Sequence, residues 1–228
     1  MVTAYDVRLL HKQEVAENTL EFTLEKPQGF EYRAGQFGDM VLPASTGLTE
    51  SNNKHGFSFA SAPFEDRLRM TTLMRASAFK QAAAKVADGT MVQLLALWGE
   101  FVLHKNPATP AVFLTSGIGI TPVRGIIAQA THEKAQHRIT LVYVNERPGQ
   151  AAYDADFRQF AVRNPRFTYA PVLAPALDAA ALRRQADDLA LARVYISGPI
   201  ATVNALRAVA LAAGADEDNL RTEEFEGY

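Results

Sequence analysis

Along the first hundred residues apolar and polar positions alternate in period two. The pattern runs through "AYDVRLLHKQEV", "TLEFTLEK", "GDMVLP", "FSFASA", "RLRMTTLM" and "TMVQLLAL". Turn signals such as "PQG", "AGQ" and "ADG" separate these runs, so the pattern predicts short strands rather than helices. One stretch breaks the rhythm. "SAFKQAAAKVADG" (77–89) is alanine-rich, with Ser77 suited to cap its start and Gly89 just past its end, and it predicts a single helix. Many short strands with one helix imply an antiparallel barrel or sandwich.

After "HKNPATP" (104–110) the pattern changes. Short apolar runs alternate with helical segments: "AVFLT", "TPVRGIIAQATHEKA", "ITLVYVN", "AAYDADFRQFAVRN", "FTYAPVL", "VYISG" and "IATVNALRAVALAAG". Strands that are apolar throughout, joined by helices, predict a parallel sheet covered on both faces. The expected fold class is therefore β followed by α/β: an antiparallel barrel over about 1–105 and a Rossmann-like α/β domain over about 106–228. The alanine-rich region 174–192 is weakly specified.

Composition narrows the chemistry. The 228 residues carry a net charge of −2 spread evenly along the chain, with no basic arm or stripe for nucleic acid or anionic membrane. No cysteine is present, which excludes disulfides, thiol nucleophiles and cysteine-held iron–sulfur clusters. No metal-ligand spacing occurs, and His132 and His137 read as solvated. "MVTAYDVRLLHKQEV" lacks the form of a signal peptide, and no apolar run reaches membrane-spanning length. The expectation is a soluble, cytoplasmic protein.

Two turns carry candidate chemistry. In "AVFLTSGIGITP" (111–122), Gly117 and Gly119 allow a tight approach of backbone to ligand, and Pro122 suits a first helical turn. Free N–H groups at such a helix start favour a phosphate, although a plain strand–helix turn reads the same way and the third glycine of the dinucleotide fingerprint is missing. Ser197, Gly198 and Pro199 repeat the arrangement at the end of "VYISG". Two such turns in one α/β domain favour a dinucleotide site.

With "HGFS" (55–58), "GIGITP" (117–122), "SGP" (197–199) and "EEFEGY" (223–228) in that order, the chain resembles the ferredoxin–NADP reductase superfamily. "RAGQF" (33–37) and "DGTMVQLLALWGEFVL" (88–103) look like its barrel framework. The resemblance covers nearly the whole chain. It implies a flavin-dependent NAD(P)H oxidoreductase, with FAD (or FMN) on the barrel and NADH or NADPH on the second domain. Hydride would pass to flavin N5, and electrons would go on to a separate ferredoxin, flavodoxin, oxygenase component or small acceptor. It puts Gly56 and Phe57 against the flavin and the Ser58 hydroxyl near N5. Arg75, Ala76 and Ser77 fall at the flavin phosphates. Thr115, Gly117, Gly119 and Pro122 line one side of the nicotinamide path and Gly198 and Pro199 the other, with Ser197 near the hydride path as a hydrogen-bond donor. Phe225 covers the flavin, Tyr228 stacks on an adenine, and Glu223 or Glu224 serves as proton donor or hydrogen-bond partner near Ser58.

Three departures stand out. His55 occupies the family's arginine position, beside Lys54, and a neutral imidazole cannot clamp a pyrophosphate bidentately. Ser197 replaces a cysteine. Ala96-Leu97-Trp98 replaces a Gly-Pro loop, with Trp98 read as packing. Glu146 favours a free ribose 2′-hydroxyl and Arg147 a 2′-phosphate, while a solvated loop is as good an account of both. "APALD", without a Ser-Arg pair, tilts the expectation to NADH. Two other functions fit the same residues: a reductase that uses flavin as a loosely held substrate, and a non-catalytic nucleotide-binding electron-transfer subunit.

Overall fold

The computed structural model describes residues 3–174 and 176–225, and for 96–98 the backbone alone. Tyr228 lies outside the described residues, as does the side chain of Trp98. Strands β1 (Ala4–Ala16), β2 (Thr19–Glu25), β3 (Phe37–Val41), β4 (Lys54–Ser58), β5 (Arg67–Leu73) and β6 (Met91–Trp98) form one antiparallel sheet, in the order β4-β3-β6-β1-β2-β5. Its two ends meet. Phe59, just past β4, bridges Met70 of β5, and the Ala60 amide donates to the Arg69 carbonyl at 2.8 Å. The interior of this barrel is filled by Val7, Leu9, Phe22, Leu24, Phe57, Phe59, Met70 and Leu94.

Helix α1 (Ala78–Lys85) is the one predicted from its alanine run. Ser77 caps it, its hydroxyl oxygen accepting from the Lys80 amide at 3.2 Å.

The second unit contains β7 (Ala111–Ser116), α2 (Ile120–His132), β8 (Ile139–Asn145), α3 (Asp154–Arg163), β9 (Phe167–Leu173), α4 (Ala179–Gln185), β10 (Arg193–Pro199), α5 (Ile200–Ala212) and β11 (Leu220–Phe225). All five strands run parallel, in the order β11-β10-β7-β8-β9. Alternation along β7 shows why. Phe113 packs with Tyr143, Tyr195 and α2 on one face, while Val112 and Leu114 pack with α4 and α5 on the other. The alanine-rich region holds α4, whose start is capped by the Asp178 carboxylate. The polar sequence of β11 hides an edge strand that period-two reasoning did not anticipate.

The strand order reverses between β7 and β10, so chain connections leave these neighbours in opposite directions. A crevice opens outside the carboxyl ends of strands at such a switch. Both glycine-bearing turns lie there.

Candidate functional site

The two turns interlock. The Thr115 hydroxyl donates to the Ser197 carbonyl at 2.9 Å, and the Ser197 hydroxyl donates to the Gly119 carbonyl at 2.7 Å. A Cβ at Gly119 would stand 2.1 Å from the Ser197 carbonyl oxygen, so only glycine fits. Thr115 and Ser197 are fully buried. The family resemblance implies Thr115 and Gly119 on the nicotinamide path and Ser197 near the hydride path. In the structure they face one another and hold the turns in register. Gly117, with φ of +53°, has open space where a Cβ would point, and its carbonyl accepts from the Tyr143 hydroxyl at 3.0 Å.

Register then brings the C-terminal motif to the same place. β11 pairs with β10 so that Glu223 stands opposite Ser197, Glu224 opposite Gly198 and Phe225 opposite Pro199. On the barrel side, β4 pairs with β3, setting Ser58 opposite Phe37 and Gly56 opposite Asp39. Between these walls lies a cleft of about 460 Å³, within the usual range for small-ligand sites. It is lined by all five residues of β4, by Phe37, Asp39, Thr71 and Thr121, and by Glu223, Glu224 and Phe225. "HGFS" and "EEF", about 165 residues apart in the chain, thus share one cavity.

Within the cleft, Ser58 is 8% exposed. Phe57 belongs to the barrel core, edge-on to Phe22, so it forms the floor of the cleft and not an exposed stacking surface. His55 sits edge-on to Phe57 and tilted against Phe79, with centroids 5.0 and 5.5 Å away. Burial lowers its pKa, and the nearby Lys80 ammonium lowers it further against the opposing pull of Asp39. It is therefore neutral near pH 7. Lys54 pairs with Asp39 at 3.2 Å. Glu223 has its Oε2 buried without a hydrogen-bond partner, and burial pushes its pKa up to about 8. A carboxyl that stays protonated at neutral pH can donate a hydrogen bond or a proton.

Other expected site residues lie elsewhere. Arg75, Ala76 and Ser77 are exposed at the start of α1 and are not part of the cleft wall. Beside them Lys80 is buried, its ammonium donating to the Leu73 carbonyl at 3.1 Å; burial and then Arg75 pull its pKa down to about 8. Glu146 is exposed, whereas Arg147 pairs with Glu17 of the barrel at 2.7 Å, so its guanidinium ties the two units together. His132 stacks on Phe64 at 3.9 Å. His137 is not solvated: it is 8% exposed, and its ring meets that of His104 at 4.9 Å. The charged sequence around it gave no hint of that contact, made by a residue 33 positions earlier. Cleft residues Asp39, Thr71 and Thr121 carried no signal in the sequence.

Among the described residues no group of three His, Cys, Asp or Glu side chains could hold a metal, and no helix is long and apolar enough to cross a membrane.

Residues 113–207 match the family model described as the oxidoreductase NAD-binding domain. The reductase component of phenol 2-monooxygenase from Pseudomonas sp. (strain CF600) is 28% identical over 165 residues, spanning 70% of this chain and 44% of that protein. A flavohemoprotein of Chromobacterium violaceum is 26% identical over 171 residues, 70% of this chain and 41% of its own length. The chain thus spans less than half the length of these relatives. Among solved structures, the Amycolatopsis cytochrome P450 reductase GcoB superposes with a TM-score of 0.83 at 20% identity, over 98% of this chain and 70% of that one. A ferredoxin NADP+ reductase from Neisseria gonorrhoeae, with bound FAD and NADP, gives 0.79 at 17% identity over 97% and 98%.

Proposed function

Starting from an oxidoreductase NAD-binding domain in a chain with the two-domain fold of ferredoxin–NADP reductase-like reductases, we propose that this protein is a flavin-dependent NAD(P)H oxidoreductase that serves a separate electron acceptor. The observation that carries the proposal is the shared cleft, where Ser58 on the barrel and Glu223 and Phe225 on β11 border one cavity at the topological switch.

The residues fit a flavin ring system there. The cavity has a volume of about 460 Å³, its floor is aromatic, and it holds a buried carboxyl oxygen lacking a partner. A bound flavin supplies an acceptor that takes hydride from NAD(P)H at N5 and passes the electrons on. The chain's own part is to exclude water with Phe37, Phe57 and Phe225 and to offer the Ser58 hydroxyl and the Glu223 carboxyl as hydrogen-bonding groups. Gly117 and the start of α2 hold the nucleotide's phosphates through backbone N–H groups. Reductase components of monooxygenases and a ferredoxin–NADP reductase among the relatives favour an oxygenase component or ferredoxin as acceptor.

One observation favours a second reading, in which flavin is a loosely held substrate. His55 is a neutral ring packed against aromatics and Lys54 is paired with Asp39, so neither offers an unshared charge to a pyrophosphate. The visible spectrum of the purified protein, followed anaerobically as NADH and then NADPH are added, tests both. A bound-flavin spectrum that bleaches supports the first reading. A colourless protein that turns over only with added free flavin supports the second, and no nucleotide-driven bleaching under either condition rejects both.

A further inference from the structure

The cleft is made of two walls from two units, so its width depends on what holds the units together. At one point the backbones touch. A Cβ at Gly125 of α2 would stand 2.9 Å from the Phe59 carbonyl oxygen and 2.8 Å from that of Ser61. This accounts for the small residues of "ASA" after Ser58: the stretch is a seat for α2. One residue earlier in α2, Arg124 is 5% exposed and enters the seam. Its NH1 donates to the Ala60 carbonyl at 3.2 Å and meets the Glu65 carboxylate. Its Nε and NH2 hold the Asp156 carboxylate of α3 at 2.9 and 2.8 Å.

A second chain of contacts runs parallel to the first. Asp156 also accepts from Arg69 at 3.4 Å, and Arg69 donates to Glu21 at 3.0 Å. The Tyr153 hydroxyl donates to Glu21 at 2.6 Å and contacts the hydroxyl of Thr71, itself a cleft residue. Tyr153 reaches this point from a left-handed conformation, φ +63°. Such a backbone is uncommon for a bulky side chain and persists only where the surroundings hold it.

We propose that Arg124 is a positioning residue for hydride transfer, supported by Tyr153, and that it sets the separation between the Ser58 wall and the Thr121 wall of the cleft. The proposal rests on the oxidoreductase reading above. Ser58 lies two residues before Ala60, the acceptor of the Arg124 bond, and Thr121 lies three residues before Arg124 on α2. One planar guanidinium thus fixes both walls and α3 at once. A lysine ammonium cannot span three partners in that geometry. Reacting atoms need to come within about 3–3.5 Å, and a misplacement of about 1 Å can cost on the order of a hundredfold in rate.

The test compares wild type with Arg124→Met, R124K and Tyr153→Phe. Flavin-loaded protein is mixed with NADH in single turnover, giving a limiting rate and a nucleotide dissociation constant. Small-angle X-ray scattering of the ligand-free protein reports the separation of the two units. We expect Arg124→Met to lower the limiting rate about 10- to 100-fold, with nucleotide affinity within about threefold and a scattering profile broadened toward larger distances. R124K and Tyr153→Phe should fall between it and wild type, and they decide the matter if Arg124→Met does not fold. A limiting rate within about twofold of wild type in these variants overturns the proposal. So does a rate that falls only in step with nucleotide affinity. The wild-type control separates the two failures: if neither nucleotide bleaches its bound flavin, the oxidoreductase reading falls and takes this role with it.

Discussion

The interlocked turns of the parallel sheet and the β4 wall of the barrel both carry the motif residues, yet they use them in opposite ways. At the turns, Thr115, Gly119 and Ser197 spend their polar groups and their missing side chain on one another. At the wall, Ser58 makes no hydrogen bond through its hydroxyl among the described residues, and Glu223 across from it keeps a bare carboxyl oxygen. One region is finished within the protein, while the other leaves hydrogen-bonding capacity for something else. A motif residue can therefore be characteristic of a fold because it shapes a turn.

Substitutions should separate the two regions, first by stability. Gly119→Ala puts a methyl group into the Ser197 carbonyl and is expected to cost about 3 kcal/mol or more, because backbone on both sides must move. Gly117→Ala, two residues away, meets nothing within 4 Å and should cost only about 1–2 kcal/mol for its left-handed backbone. Urea unfolding of the two variants makes the comparison directly. Equal losses would mean that the turns are not interlocked as described.

The next effect depends on pH. Glu223 has a folded pKa raised from an ordinary 4.5 to about 8, so the stability associated with its neutral form is fully present below pH 4.5 and is lost as pH rises through about 8. In flavin-free protein, Glu223→Gln should remove that decline. Allowing for solvent in the cleft, the gain over wild type at about pH 9 relative to pH 5 is expected to be about 1–3 kcal/mol. A wild-type stability curve that stays flat across this range would remove the argument for a protonated carboxyl.

The smallest change in stability is expected at Ser58. Ser58→Ala should leave unfolding within about 0.5 kcal/mol of wild type, since no protein partner is lost. Flavin bleaching by nucleotide should still slow about tenfold, as expected for one missing hydrogen bond near the reacting atom. A variant with lost stability and normal bleaching would mark Ser58 as a structural residue and reverse the contrast with Ser197.

Most of the order of elements, strands with one helix and then strands alternating with helices, is legible in the sequence. Period two over the first hundred residues and apolar runs broken by helices afterwards are local patterns, set by which face of each segment avoids water. It also determined the candidate motifs, because glycine, proline and serine at strand ends are local backbone requirements. Tertiary structure alone decided which motif residues face a cavity. Phe57 and Ser58 are neighbours in the chain and both border the cleft, but the Phe57 ring is packed into the barrel core as its floor while Ser58 stands on its wall. Likewise "EEF" meets "HGFS" only because β11, too polar to be read as a strand, pairs in parallel with β10. The seam residues Glu21, Arg69, Arg124, Tyr153 and Asp156 come from four separate segments, and only Tyr153 and Asp156 are close in sequence. Their partners are chosen where two packed units exclude water and each charge must find a counterpart. That requirement appears only once the chain has folded.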